Sequence, residues 1–171
     1  MDLKALDAYG SQEDFARALS EKVYDNEVRC HGCAQVVVQS FMDQMGVEDP
    51  LLSKAASPFF AGLALTGQTC GALIGPLMML GMVFGREDID QGLPGLLENV
   101  RPMRKLVKIF SQKNQDQISC RGITGVDMAN PEQSQEYFKA GGLERCARLM
   151  ADTAAEAAGL IWEHRQKQKA E

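Results

Sequence analysis

Apolar residues recur at helical spacing along most of the chain. Ser11, with Asp14 three residues on, has the pattern of a capped helix start, and Phe15, Ala18, Leu19 and Val23 follow it. A first helix is therefore predicted from about residue 12 to about residue 27. Val37, Phe41 and Met42 continue as a second stripe. The run Val36-Val37-Val38 would also suit a strand, but the length of the segment favours a helix with Gly46 as its C-cap. Pro50 opens a short helix through Leu51, Leu52 and Ala55, which Ser57-Pro58 stops. An apolar helix headed by Cys70 runs to Gly85, with Pro76 expected to kink or restart it. Leu97, Val100, Leu106, Val107 and Phe110 predict a helix within residues 96–110, interrupted at its start by Pro94 and Pro102. Cys120 to Gly125 reads as a glycine-rich loop or helix start, Asn130-Pro131 as a turn, and Leu143 to about Arg165 as a long last helix. No pair of alternating runs joined by a tight turn is present. The expected fold is all-α: a compact bundle of about five to six helices around a buried glycine-rich central helix, one domain over residues 1–171.

No charged residue occurs between Pro58 and Gly85, yet Thr66-Gly67-Gln68-Thr69 divides that run into two pieces. Each is shorter than the ~18 apolar residues a membrane span needs, so both are expected to be buried elements without membrane insertion. A net charge of −5 argues against nucleic acid as a partner. Arg101, Arg104 and Lys108 share one helical face, expected to be solvated. The N-terminal residues lack the apolar segment of a secretory signal, which makes a cytoplasmic location the expectation. Five cysteines in such a chain point to metal binding or redox chemistry rather than structural disulfides.

Gly71 and Gly75 are four apart and so lie on one helical face, where the missing side chains admit a close neighbour. Tight helix packing is one reading of that face. The other is that the face, with the Cys70 sulfur, makes room for a cofactor or a second sulfur. Gly32, Gly71 and Gly75 are the candidate cofactor-contacting glycines.

Cys30 and Cys33 form a C-x-x-C. A thioredoxin-like dithiol would sit among alternating strands and helices, haem attachment needs a His where Ala34 stands, and a zinc ribbon needs a second C-x-x-C. Cys33, Cys70 and Cys146 each fall at or near a predicted helix start, and Cys120 opens a glycine-containing one. Free amide donors and the helix dipole stabilise thiolates at such places, although a buried cysteine is also an ordinary small hydrophobe.

Taken together, Gly32-Cys33-Ala34-Gln35, Cys70-Gly71-Ala72-Leu73-Ile74-Gly75, Ser119-Cys120-Arg121 and Cys146 resemble the C_GCAxxG_C_C family of redox-active proteins. Residues 70–75 match its CGAxxG motif at every specified position, and the resemblance covers roughly residues 28–160. It implies a small helical redox protein whose four cysteines act together. The chain is also similar to the iron–sulfur portion of split-Soret cytochromes, without their haem-attachment motifs. Cys30 departs from the four-cysteine pattern and, with His31, is a possible replacement ligand or resolving thiol.

Three functions follow as expectations. The first is an electron-transfer or redox-sensing protein holding a [2Fe–2S] or [4Fe–4S] cluster through Cys33, Cys70, Cys120 and Cys146, with zinc as the rival metal. The second is a metal-free thiol–disulfide oxidoreductase in which Cys30 and Cys33 are the catalytic pair and Cys70 a buried partner. The third is a helix-packing protein whose cysteines only fill the core. His164 is expected to be solvated in a charged tail, and two histidines with no carboxylate spacing give hydrolysis little support. No nucleotide-binding motif is present. The redox partner protein is not named by the sequence. The apolar abundance of Leu77, Met78, Leu80, Met82, Val83 and Phe84 leads to a last expectation: a homodimer with this helix near its interface and the cysteines within reach.

Overall fold

A computed structural model describes residues 1–170. Among these the chain forms nine α-helices and no strand, only an isolated antiparallel bridge between Thr69 and Ser119. The architecture is all-α, as the sequence pattern requires. The extra helices are short: Gly92–Glu98 at the start of the interrupted helix, Cys120–Thr124 in the stretch read as a loop or helix start, and Pro131–Lys139 beyond the Asn130-Pro131 turn.

The first helix, α1 (Gln12–Cys30), starts where the Ser11 hydroxyl accepts the Asp14 amide at 3.1 Å. It buries Phe15, Leu19, Val23 and Glu27, a stripe of period four that carries it three residues past the expected end. Next come α2 (Ala34–Met45), closed by Gly46 in the left-handed conformation at φ 65°, and α3 (Pro50–Ala56), capped by Asp49. The glycine-rich helix α4 (Gly71–Phe84) is continuous through Pro76. Pro76 leaves the Ala72 carbonyl without its intrahelical donor, and the chain accommodates that loss without restarting the helix. Where one interrupted helix was expected, Asn99 separates α5 (Gly92–Glu98) from α6 (Val100–Lys113). Then follow α7 (Cys120–Thr124), α8 (Pro131–Lys139) and α9 (Gly142–Ala170), the last extending beyond both predicted ends.

At 1.5 Å per residue, α9 is about 43 Å long and serves as the spine. Helix α1 lies along it, and α4 packs between α9, α2 and α6. Ala147, Ala151, Ala154, Ala157 and Ala158 are buried on α9, so small side chains let its neighbours approach closely. The core between these helices is filled by Phe15, Phe41, Leu73, Leu80, Phe110 and Ile161. Helix α4 is thus the enclosed central helix, its apolar surface covered largely by its own chain. Large apolar side chains are instead exposed at Ile89, Leu93, Leu96 and Leu97. No helix among the described residues is long and apolar enough to cross a membrane.

One expected buried element is not one. In the first half of the uncharged run, Phe60, Leu63 and Leu65 are exposed. The reason is backbone conformation: Ala61, Gly62, Leu63, Ala64 and Leu65 all have φ between 46° and 70°, a left-handed turn. It is closed by Gln68 N–H to Gly62 O at 3.0 Å and Ala64 N–H to Pro58 O at 2.9 Å. Such a conformation costs roughly 1–2 kcal/mol for each residue with a Cβ. Ala64, exposed at φ 49°, has little to lose as a side chain. Ala64→Gly is therefore expected to raise stability by about 0.5–1 kcal/mol in denaturant titrations, against the usual cost of a glycine.

Candidate functional site

The four cysteines of the motif pattern come from four elements and meet at one end of the bundle. Cys33 is the N-cap of α2, reached through three consecutive positive φ values at His31, Gly32 and Cys33. Its amide donates to Glu27 Oε2 at 3.1 Å, which ties this turn to the end of α1. Glu27 is only 4 % exposed. Burial raises its pKa from 4.5 to about 7, with the Cys33 amide opposing that rise. The Ala61 N–H, held by the left-handed turn, faces the Cys33 sulfur. Burial nevertheless pushes the Cys33 thiol up to about 12, and the Glu27 carboxylate adds to the effect.

Cys70 caps α4. Its N–H donates to Ile118 O at 2.8 Å, and the Cys120 N–H donates to Gln68 O at 2.7 Å. These bonds flank the Thr69–Ser119 bridge and bring Cys70 and Cys120, both buried, side by side. Gly67, at φ 74°, has the Arg121 Cβ 2.9 Å from where its own Cβ would be, so a side chain there would force the two segments apart. The Cys70 and Cys120 thiols are hydrogen-bonding partners in a buried pair. That bond lowers the Cys120 pKa, helped by Thr124 and Arg121, and raises that of Cys70. The Ala72 N–H faces the Cys70 sulfur in turn.

Cys146 lies on the second turn of α9, half-buried, with its sulfur 3.5 Å from Tyr137 Oη. Burial raises its pKa. Tyr137 holds its proton more firmly than a free tyrosine, because its ring is desolvated and its hydroxyl is bonded to Cys146.

The two motif glycines on α4 face helix α2. A Cβ on Gly71 would lie 2.4 Å from the Cys33 Cβ and 2.7 Å from Phe59 O; one on Gly75 would lie 2.7 Å from the Val37 Cβ. The space beside them is occupied by the helix that carries the second sulfur. Gly32 borders a cleft of about 680 Å³ together with Glu27, Cys30, Cys33, Cys120 and Cys146, and its other walls include Phe60, Leu65 and Phe138. Among the described residues no Lys or Arg lines this cleft. Cys70 sits behind Cys120 and does not line it. Cys30 and His31 are exposed at the mouth. His164 is remote and stands edge-on to the Phe84 ring, with centroids 4.8 Å apart, rather than freely solvated. Among the described residues no three His, Cys, Asp or Glu side chains are gathered so as to hold one metal ion.

Residues 31–160 match the family described as "Putative redox-active protein (C_GCAxxG_C_C)". The chain belongs to that family. The C_GCAxxG_C_C match begins at His31, so Cys30 lies just outside it while Cys33, Cys70, Cys120 and Cys146 fall within. No curated protein and no solved structure matches the chain.

Glu27, Ala61 and Tyr137 belong to this site although motif reading does not find them. Glu27 had a signal: it continues the apolar stripe Phe15–Leu19–Val23 as a carboxylate on a buried face. Ala61 acts through its backbone, and the pattern of side chains is silent about it.

Proposed function

We propose that this C_GCAxxG_C_C protein is a redox protein that holds an iron–sulfur cluster through Cys33, Cys70, Cys120 and Cys146. The observation that carries this reading is the convergence of four thiols from four separate elements: Cys33, Cys120 and Cys146 line one cleft, and Cys70 pairs with Cys120 behind it. The donor set is sulfur only, which suits iron–sulfur chemistry. Burial makes ionised thiols unfavourable at Cys33 and Cys146, and the Arg145 guanidinium offsets only part of that cost, at Cys146 alone. Bound iron would offset it. A single zinc ion needs its sulfurs at about 2.3 Å from one point; a cluster is held through separate irons, which fits three thiols bordering a cleft with Cys70 behind them rather than four crowding one spot. When bound, the cluster supplies one-electron oxidation and reduction. The chain's part is to aim the Ala61 and Ala72 N–H groups and the Tyr137 hydroxyl at the sulfurs, and to screen them from water with Phe60, Leu65 and Phe138.

A metal-free dithiol is the second reading, favoured by the Cys70–Cys120 contact. It places the reactive pair there rather than at Cys30 and Cys33, because Cys33 is held up to about 12 and is a poor nucleophile at neutral pH. Single Cys→Ser variants separate the readings. Loss of most iron and sulfide is expected from substitution of Cys33, Cys70, Cys120 or Cys146, with Cys30→Ser retaining the wild-type content. Equal iron in all five variants would contradict the assignment.

A further inference from the structure

Among the described residues, Cys146 is the one motif cysteine whose sulfur is met by a side-chain hydroxyl from another helix. Cys33 and Cys70 face backbone N–H groups, and Cys120 pairs with the Cys70 thiol, while the Thr124 hydroxyl on its own helix donates to the Cys120 carbonyl at 2.8 Å. Tyr137 reaches Cys146 from α8, with Oη 3.5 Å from Sγ.

The ring that carries this hydroxyl is fixed on three sides. Gly142 abuts it so closely that a Cβ there would lie 2.2 Å from Tyr137 Cδ1. The Arg145 guanidinium lies over the ring, 5.0 Å from its centroid. The ring of Phe138, a wall of the cleft, meets it edge-on at 5.8 Å. A hydroxyl held in this way has its direction set before any metal arrives.

Building on the cluster reading, we propose that the Tyr137 hydroxyl is a positioning group that donates to the Cys146 sulfur and sets the reduction potential of the centre. A sulfur bound to iron carries no proton, so between these two atoms only Oη–H can donate. The bond draws electron density from the sulfur and thereby favours the electron-rich reduced state. Its loss moves the potential in the negative direction without removing a ligand.

The test compares anaerobic wild-type protein with Tyr137→Phe and with 3-fluorotyrosine placed at position 137. Tyr137→Phe is expected to keep wild-type iron and sulfide, shift the midpoint potential negative and move the sulfur-to-iron charge-transfer bands. The fluorinated ring, a stronger donor, should shift the potential the opposite way. In metal-free protein, iodoacetamide labelling of Cys146, followed by peptide mapping, should slow several-fold in Tyr137→Phe because its thiolate loses a donor. Wild-type potential and bands in a fully loaded Tyr137→Phe protein, with unchanged labelling of Cys146, would overturn the role given to Tyr137. If the wild type holds no iron, the cluster reading fails, and the labelling comparison alone decides whether Tyr137 donates to Cys146.

Discussion

Gly71→Ala is expected to destabilise the protein by about 3 kcal/mol and, on the proposed cluster assignment, to lower its iron content. The new methyl would meet the Cys33 Cβ at 2.4 Å, Phe59 O at 2.7 Å and Ala34 N at 3.1 Å. None of these is the free end of a flexible side chain. The strain has to be relieved by moving α4 away from α2, which separates Cys70 from Cys33. Gly75→Ala acts in the same direction, against the Val37 Cβ at 2.7 Å and the Ala34 backbone at 3.0 Å. Gly81 supplies the control on the same helix: nothing lies within 4 Å of its Cβ position, so Gly81→Ala should stabilise by roughly 0.5–1 kcal/mol. Urea titrations of the three variants measure the series. A Gly71→Ala protein as stable as Gly81→Ala would show that α2 and α4 do not meet as described.

The second large effect is a pH dependence centred on Glu27. Its pKa in the folded protein is about 7 against an ordinary 4.5, chiefly through burial. The folded state therefore holds the proton more tightly than the unfolded chain between these values. Its stability contribution is fully present below about pH 4.5 and is lost as pH rises to about 7. Asp7, held low by the Lys169 hydrogen bond, titrates below this window and does not mask it. In metal-free protein, unfolding free energy should fall by about 3 kcal/mol across the window. Glu27→Gln keeps an acceptor for the Cys33 amide but carries no charge, so it should flatten the profile and be more stable than wild type at pH 8. An unchanged slope in Glu27→Gln would remove Glu27 as its source.

Much of this could be read from the chain before its structure. The helical stripes of α1, α2 and α9, the Gly46 C-cap and the Pro50 start follow from local patterns, and all appear. The four motif cysteines fall at or near helix starts because the CGAxxG and flanking glycines mark those starts. What local pattern could not convey was backbone in unusual conformations and contact between distant segments. The run from Ala61 to Leu65 is apolar, so it reads as buried, yet it is a left-handed turn held by backbone bonds and exposed on its outer side. The Thr69–Ser119 bridge joins segments fifty positions apart through amides, for which side chains give no sign. Glycine spacing on α4 signalled a close neighbour but not which one; α2, bringing Cys33 with it, is that neighbour.

The most direct measurement of the central claim is iron and acid-labile sulfide in anaerobically purified wild-type protein, read beside its visible absorption and beside Cys70→Ala. The account predicts a brown wild-type protein with iron and sulfide in matching amounts and sulfur-to-iron charge-transfer bands, and a folded Cys70→Ala protein that has lost them. A colourless wild-type protein, whether metal-free or carrying stoichiometric zinc, would contradict it.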